Sequence, residues 1–118
     1  MMGPMVNVIV DRPLGSAHPD YPDLIYPINY GYIEGTMAED GEEEDAYILG
    51  VSEPVSSFRG RVIAVIIRKN DKENKYVVAP DRMYFTEEEI RKAVHFQEKY
   101  FDITISLWYG RCILNQET

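Results

Sequence analysis

Short apolar runs separated by turn-forming residues constrain the fold of this chain more than any other feature. The runs are rich in Val, Ile and aromatic residues, and each has the length of one strand. Strands are predicted over residues 6–10, 29–33 (or a tight bend here), 46–51, 61–67, 75–79 and 103–109. The proline-containing segment 16–29 is predicted to be an extended loop and residues 54–60 a turn. Runs of this length without intervening helices favour antiparallel hairpins over βαβ units.

A single helical pattern begins late in the chain. Thr86 and Glu89 have the spacing of a capping box, and the acidic residues 87–89 suit a helix start because they interact favourably with the helix dipole. One modest apolar face follows at helical spacing: Ile90, Ala93, Val94, Gln97 and Phe101. With the short strands, this predicts a mainly β (β-rich α+β) domain over residues 1–118. The economical form is a small, partly closed, five-stranded OB-like barrel with one late α-helix, because closure removes exposed strand edges.

The charge balance limits the classes of partner. The chain has 118 residues, with 20 acidic against 12 basic residues and a formal net charge of −8. We therefore expect no nucleic-acid or membrane partner, because nucleic acids and anionic membranes are both bound through clustered Lys and Arg. The same charge argues against an oligonucleotide-binding barrel. No apolar run approaches the roughly 20 residues that span a bilayer, and residues 1–5 do not form a secretion signal, so a cytoplasmic protein is expected.

Six carboxylates fall within the seven residues 39–45, directly before the predicted strand 46–51. A run of like charges usually lies in a solvated loop. This run continues into an apolar strand, so its end is expected to be held in place. Closely held carboxylates attract a hard divalent cation such as Mg²⁺ or Ca²⁺. Taken alone, these residues leave a solvated loop and a metal site open as interpretations.

The acidic run is one part of a longer pattern over residues 26–51. Tyr-Pro-Ile-Asn-Tyr-Gly-Tyr-Ile at 26–33 precedes Asp-Gly-Glu-Glu-Glu-Asp at 40–45, and an apolar strand follows. This pattern resembles the soluble family I inorganic pyrophosphatases. In that family Tyr-Pro-x-Asn-Tyr-Gly-Tyr-Ile precedes Asp-Gly-Asp-x-x-Asp and a hydrophobic strand at the same spacing. The match is long and ungapped, and it favours the metal site over the solvated loop.

The resemblance assigns roles within the first half of the chain. It implies metal binding by Asp40 and Asp45 and contact with phosphate by Tyr30. Glu42 stands where the family has an aspartate that activates the attacking water. Its carboxylate is therefore displaced by one methylene, about 1.5 Å, which is enough to disturb the geometry of attack. Residues 43–44 occupy variable family positions and are expected to be solvated.

The second half of the chain matches the family more loosely. Over residues 69–80 the resemblance places Glu73 at a metal-binding aspartate and Lys75 at a lysine that faces phosphate. Arg68 stands where the family has a further acid, so one metal ligand is lost there, and Asp71 is an alternative ligand if the loop shifts. An ordinary polar hairpin is the other interpretation of this segment.

The phosphate-binding cations of the family are only partly retained. Tyr100 matches a helix tyrosine that contacts phosphate, but Phe101 replaces the lysine that follows it in the family. Lys99 is adjacent, but in a helix it would point about 100° away from Tyr100. Near the N-terminus, one alignment places Leu14 at a phosphate-binding lysine, and the other makes Arg12 the phosphate-binding arginine. The second alignment requires an insertion before Tyr26.

Two functions follow from the resemblance. The first is hydrolysis of inorganic pyrophosphate, or of a related phosphoanhydride, that depends on Mg²⁺ (or Mn²⁺). The second is a non-catalytic pyrophosphatase-like module that binds metal or a small phosphorylated anion. A homo-oligomer is compatible with both. The predicted site residues are the catalytic Glu42 and Asp45, the substrate-binding Arg12, Tyr30, Lys75 and Tyr100, and the metal-binding Asp40, Asp45 and Glu73.

Geometry separates a metal site from a solvated loop. A metal-based function predicts that Asp40, Glu42, Asp45, Tyr30 and Lys75 point into one cavity. The missing cations lower the expected activity, because each contact that stabilises transition-state charge is worth about 3 kcal/mol, or a factor of about 10² to 10³ in rate. The residues available to replace the missing family residues are Arg12, His18 and Asp71.

Overall fold

The computed structural model describes residues 3–37, 41–69 and 73–108. Within these ranges the chain forms six strands and one helix. In chain order they are β1 (Met5–Arg12), β2 (Asn29–Ile33), β3 (Asp45–Ile48), β4 (Ser57–Arg68), β5 (Asn74–Ala79), α1 (Glu87–Glu98) and β6 (Ile103–Leu107). Each predicted strand has a counterpart among these elements, and the short aromatic segment at 29–33 is a strand rather than a bend.

Five of the strands form a closed barrel. Hydrogen bonding runs in the order β1–β2–β3–β5–β4, and β4 pairs with β1 to complete the ring. These neighbours are antiparallel except β3 and β5, which are parallel. The sixth strand, β6, pairs with residues 64–68 of β4, beyond the residues 57–61 that pair with β1. The predicted five-stranded OB-like barrel with one late helix is confirmed, and its ring is closed rather than partly open.

Strand β4 is longer than the sequence indicates. Residues 57–60, predicted as part of a turn, pair with β1 and belong to the strand. The backbone ladder to β1 outweighs the turn composition, because it satisfies the N–H and C=O groups of these residues. Gly60 suits this position because a Cβ atom there would lie only 2.6 Å from the carbonyl oxygen of Ala79. The turn prediction for residues 57–60 was therefore wrong.

Alternating side chains divide the core into two clusters. The first cluster takes at least one residue from each barrel strand: Val8, Val10, Ile33, Ala46, Ile48, Val62 and Val78. The second cluster packs α1 against the sheet, with Ile90 and Val94 of the helix against Tyr47 of β3 and Val77 of β5. Because side chains alternate between the two faces of a strand, Tyr47 lies in the second cluster while its neighbours on β3 lie in the first.

Helix α1 begins and ends where short-range hydrogen bonds fix it. The Thr86 hydroxyl accepts from the Glu89 amide at 3.1 Å, and the Glu89 carboxylate accepts from the Thr86 amide at 2.8 Å, which confirms the capping box. The helix ends at Glu98, and the amide of Phe101 donates to the Glu98 carbonyl at 2.9 Å in a tight turn. The prediction of Phe101 on the helical face was wrong for this reason. Among the described residues, no helix has both the length and the hydropathy needed to cross a membrane.

Candidate active site

One end of the barrel opens into a cavity of about 940 Å³. Strand ends place its polar lining there, because β1 and β4 finish at this end while β2, β3 and β5 begin at it. Six predicted site residues line the cavity: Arg12, Tyr30, Asp45, Glu73, Lys75 and Tyr100. Arg12 pairs with Tyr30 across β1 and β2, and Asp45 pairs with Lys75 across β3 and β5. The fold therefore brings together residues that are up to 88 positions apart.

Lys75 is the centre of one group of contacts in this cavity. Its ammonium is nearly buried and donates to the Tyr30 hydroxyl at 2.9 Å and to the Glu73 carboxylate at 2.5 Å. It also contacts the Asp45 carboxylate, which accepts a 2.9 Å hydrogen bond from Tyr30. Burial, together with the negative charge of Asp45, raises the pKa of Tyr30, so this phenol stays protonated and donates. One lysine therefore partly balances two carboxylates at the barrel end.

A second group of contacts connects Arg12 to the helix. The Arg12 guanidinium donates to the Tyr26 hydroxyl at 2.6 Å, which donates to the Gln97 side-chain carbonyl at 2.6 Å. The Gln97 amide donates to the Tyr47 hydroxyl at 2.7 Å, and Tyr47 donates to the Glu98 carboxylate at 2.6 Å. Burial, reinforced by the charge of Glu98, raises the pKa of Tyr47. Tyr47 therefore donates to Glu98 and accepts from the Gln97 amide, so the Gln97 carbonyl accepts from Tyr26 and Tyr26 accepts from Arg12.

The chain of hydrogen bonds continues from Glu98 to Arg68. Arg68 donates two hydrogen bonds to the Glu98 carboxylate, from Nε at 3.0 Å and from Nη2 at 2.7 Å. Both side chains are almost fully buried, and Arg68 lines the cavity. The sequence interpretation missed Glu98. Its spacing from Ile90 and Val94 places it on the buried helix face, and a buried carboxylate requires a partner, so this signal was present.

A smaller cavity of about 310 Å³ adjoins the first and is strongly acidic. Asp45 and Glu73 line both cavities. The other carboxylates that line the smaller one are Asp11, Glu42, Glu43 and Glu44. Among the described residues, no Lys or Arg side chain lines it. Partial desolvation raises the pKa of Asp11, and the charge of Asp45 adds to this effect although Arg12 opposes it. Glu42, Glu43 and Glu44 therefore lie beside the larger cavity, whereas Asp45 lines both cavities.

The members of the acidic run differ in their surroundings. Glu42 and Glu43 are exposed, whereas Glu44 is half-buried and bonds to the Tyr76 hydroxyl. The backbone amide of Glu44 also donates to the Thr36 hydroxyl at 2.9 Å. The prediction that Glu44 is merely solvated was wrong, because the loop before β3 packs this side chain against β5. Glu42 lines the smaller cavity, so the prediction of one shared cavity holds for Tyr30, Asp45 and Lys75, and Glu42 lies in the adjoining cavity with Asp45.

The donor atoms near the shared carboxylates fit a hard divalent cation. They are oxygens of Asp45, Glu73 and Glu42, which is the donor type that Mg²⁺ prefers. Asp40, the other predicted metal ligand, lies outside the described residues, as does Asp71. Within the described ranges, no three Asp, Glu, His or Cys side chains form a group close enough to hold a metal. The residues fit Mg²⁺ or Mn²⁺ in chemistry, and their role as ligands stays a prediction.

The structure separates the two N-terminal alignments. Arg12 lines the larger cavity, whereas Leu14 does not and instead donates its backbone amide to the Asn29 side chain at 2.9 Å. His18 also lines the cavity, and its Nδ1 accepts from the Asp20 amide at 3.0 Å. The extended loop that carries His18 closes back on itself through a bridge between Ala17 and Ile25. This geometry favours the alignment in which Arg12 faces phosphate.

Lys99 and Tyr100 follow the last residue of α1, and Lys99 is the C-cap, with helical backbone angles and a helical hydrogen bond to the His95 carbonyl. Both line the larger cavity, and the Lys99 ammonium lies 5.3 Å from the centre of the Tyr100 ring. Tyr100 is 70% exposed and stands at the rim. A basic side chain therefore accompanies Tyr100 at the cavity mouth.

Comparison with known proteins assigns the family. A family model described as inorganic pyrophosphatase matches residues 8–110. The inorganic pyrophosphatase of Saccharolobus solfataricus is 29% identical over 134 residues, covering 87% of this chain and 78% of the relative. That of Gluconobacter oxydans is 30% identical over 125 residues, covering 90% of this chain and 72% of the relative. Both alignments are longer than the 118 residues of this chain, so the relatives have additional residues inside the matched region.

Solved structures agree in fold. The crystal structure of an inorganic pyrophosphatase from Neisseria gonorrhoeae superposes with a TM-score of 0.63 and 23% identity, covering 83% of this chain and 74% of that one. The inorganic pyrophosphatase from Ehrlichia chaffeensis gives the same TM-score and identity, with 84% and 82% covered. Barrel and family model thus agree with the resemblance of residues 26–51, and the chain belongs to the inorganic pyrophosphatase family.

Proposed function

We propose that this chain hydrolyses inorganic pyrophosphate, or a related phosphoanhydride, with Mg²⁺ or Mn²⁺ as the metal cofactor. The observation that carries the proposal is the cavity at the barrel end, where Arg12, Tyr30 and Lys75 face the same space as Asp45 and Glu73. A phosphoanhydride needs cations and donors for its oxygens and carboxylates for the metal, and both kinds of group meet here. Family membership supports the same reaction.

The basic residues and Tyr30 are the substrate-binding part of the proposal. Arg12 and Lys75 supply positive charge to the phosphate oxygens, and charge-assisted hydrogen bonds of this kind are the strong ones. The protonated Tyr30 supplies a further donor, and Tyr100 adds its hydroxyl at the rim. Because Arg12 and Lys75 are each fixed by hydrogen bonds to tyrosine hydroxyls, they need little reorganisation to receive a substrate.

The carboxylates are the metal-binding and water-activating part. Asp45 and Glu73, with Asp40, would hold the metal, and a bound divalent ion supplies charge neutralisation and a water of lowered pKa. Glu42 accepts a proton from the attacking water. The water oxygen forms a bond to phosphorus, the bridging P–O bond breaks, and two phosphate ions leave. The extra methylene of Glu42 moves its carboxylate by about 1.5 Å relative to aspartate, so a reduced turnover is expected.

A second function, a non-catalytic module that binds metal or phosphate, has one specific observation in its favour. Lys75 already contacts both Asp45 and Glu73, so the two carboxylates have an internal counter-charge. A module of this kind binds phosphate without turnover. It shares the fold and the cavity with the enzyme, so turnover alone separates the two functions.

A phosphate-release assay with pyrophosphate and Mg²⁺ or Mn²⁺ tests the proposal. The expected result is metal-dependent turnover that falls by at least about 10²-fold in Asp45→Asn. Asp81→Asn is the matched control, because Asp81 also pairs with a basic residue, Arg61, but lines neither cavity. Turnover in the control should equal wild type. Purified protein that binds phosphate but releases none from pyrophosphate would exclude the enzyme and leave the binding module.

The remaining partner predictions rest on charge. The net charge of −8 supports the absence of a nucleic-acid or membrane partner. A cytoplasmic location stays a prediction. A homo-oligomer stays a prediction, which light scattering of the purified chain would decide.

A further inference from the structure

Arg68 is held in the larger cavity by contacts on two sides. Its guanidinium makes a two-pronged hydrogen-bonded pair with Glu98 and lies 3.7 Å from the centre of the Phe101 ring. The side chain is 7% exposed and lines the cavity, whereas Glu98 lies behind it and does not line the cavity. Lys75 and Arg12 line the same cavity. The positive end of this buried pair therefore faces the space where the proposed substrate binds.

Stability alone gives no reason for this arrangement. A buried ion pair is often no more stabilising than apolar side chains of similar size, because both charges lose their water. The core cluster between α1 and the sheet consists of apolar and aromatic side chains, so an apolar pair would be compatible with it. A guanidinium has five N–H donors, so it can hold Glu98 through Nε and Nη2 and still present donors to an anion. A buried arginine presented to a cavity is better explained by an anionic ligand.

We propose that Arg68 is a phosphate-binding residue of this site and that Glu98 and Phe101 are the positioning residues that hold it there. This inference rests on the proposed function for its substrate. It changes the interpretation of two sequence positions together. Arg68 is a lost metal ligand and Phe101 a lost cation when each is considered separately. In the fold, the Phe101 ring lies against the Arg68 guanidinium and stabilises its positive charge.

Glu73 connects this arginine to the rest of the site. Its carboxylate lies 3.8 Å from Arg68 Nη1 and also bonds to Lys75. An acid between two cations keeps them close without mutual repulsion, which suits two phosphate groups joined by one bridging oxygen.

The decisive variant removes the pair as a whole. Arg68→Met alone would leave Glu98 as an uncompensated buried charge, so the variant is Arg68→Met with Glu98→Gln. The readouts are KM for pyrophosphate and the affinity for inorganic phosphate measured by titration calorimetry in Mg²⁺. We expect each to weaken by at least about tenfold, with kcat/KM falling about 10²-fold. The matched control is Arg91→Met with Glu87→Gln, because these two residues form an exposed ion pair on α1, the helix that carries Glu98.

The outcomes separate this inference from the proposed function. Turnover by wild type with an unchanged KM and phosphate affinity in the double variant would overturn the role of Arg68 and leave the hydrolase standing. Phosphate binding without turnover in wild type, lost in the double variant, would support Arg68 and exclude the hydrolase. If wild type neither binds phosphate nor hydrolyses pyrophosphate, both proposals fail.

Two single variants cover the case in which the double variant does not fold. Arg68→Lys keeps the charge but not the two-pronged geometry, and it should raise KM about tenfold. Glu98→Gln keeps the hydrogen-bonding shape, and it should raise KM while kcat stays within about twofold, as expected for a residue that positions a binding group. A purely structural pair would lower the melting temperature in both variants and leave KM unchanged.

Discussion

The two walls of the candidate site are held in different ways. The basic wall consists of Arg12, Arg68 and Lys75, and buried tyrosines and acids fix each of these side chains. The acidic wall consists of Asp11 and residues 42–44, and Glu42 and Glu43 in it are exposed. Strands carry the basic wall, whereas most of the acidic wall belongs to the loop before β3.

This difference indicates that the cations proposed to bind substrate are positioned before any ligand binds, whereas most of the carboxylates are not. The basic wall is held in place before any ligand arrives, because each of its cations donates to a buried tyrosine or carboxylate. Like charges on the acidic wall repel each other, so its working geometry depends on a cation. Substitutions in the basic wall should therefore change stability and activity together. Substitutions in the acidic wall should change activity or pH dependence with little effect on stability.

The largest effect is expected from Lys75→Gln. Removal of the ammonium leaves Asp45 and Glu73 facing each other, and Tyr30 loses a donor. Because both carboxylates are partly solvated, we expect a loss of about 2 kcal/mol in the free energy of unfolding, together with a 10²- to 10³-fold drop in kcat/KM, roughly the value of one electrostatic contact. Urea denaturation and phosphate release measure the two effects. Lys92→Gln, on the exposed helix face, should change neither. Wild-type stability in Lys75→Gln would contradict the prearranged wall.

A smaller effect, on stability first, is expected from Tyr47→Phe. This change removes the donor to Glu98 and the acceptor of Gln97 inside the core. Unsatisfied buried groups cost about 1–3 kcal/mol, so the melting temperature should fall by several degrees. Tyr21→Phe is the control, because Tyr21 is 65% exposed. An equal melting temperature for Tyr47→Phe and wild type would show that the buried chain of hydrogen bonds is not essential to the fold.

Glu42→Asp tests whether a change in the acidic wall alters activity without altering stability. The shorter side chain restores the acid of the family pattern, and the carboxylate moves back by about 1.5 Å, so we expect kcat to rise about tenfold. Glu42 is exposed, so the free energy of unfolding should stay within about 0.5 kcal/mol of wild type. Glu43→Asp is the matched control. A fall in kcat would indicate that the water-activating group of this chain is a different carboxylate.

The smallest effect is expected from Asp11→Asn and depends on pH. Partial desolvation raises the pKa of Asp11 in the folded chain. The stability linked to this group is present below its unfolded pKa of about 3.9 and is lost as pH rises through the higher folded value. Asp11→Asn should therefore raise the melting temperature slightly at pH 7, with the gain disappearing toward pH 4. Thermal unfolding at the two pH values checks this. A gain that persists at pH 4 would assign it to a cause other than charge.

Local signals in the sequence account for the barrel and the helix. The apolar run of β3 and the Thr86–Glu89 capping box are readable over a few residues, and the structure confirms both. Tyr30 and Asp45 were found through the spacing of the resemblance and lie in one cavity. The length of β4 was not predicted, because residues 57–60 become a strand only when β1 pairs with them.

The Arg68–Glu98 pair could not be predicted in the same way. Arg68 was interpreted as a missing ligand because a comparison of positions considers one residue at a time. Its partner lies 30 residues later on a different element, and only the packing of α1 against the sheet brings the two together. Charge compensation between distant residues depends on tertiary packing. A comparison of single positions therefore counts Arg68 as a lost acid, although the fold pairs it with the acid Glu98.

The parallel pairing of β3 and β5 has a consequence for how the chain folds. Strand β4 separates β3 from β5 in the sequence although the two are neighbours in the sheet, so no local hairpin contains both Asp45 and Lys75. Contacts between distant residues form slowly because the intervening loop must close first. A partly folded chain therefore lacks the paired charges of the site. Recovery of phosphate binding during refolding should coincide with the last cooperative step, and a ligand for this cavity should stabilise the complete barrel and no shorter fragment.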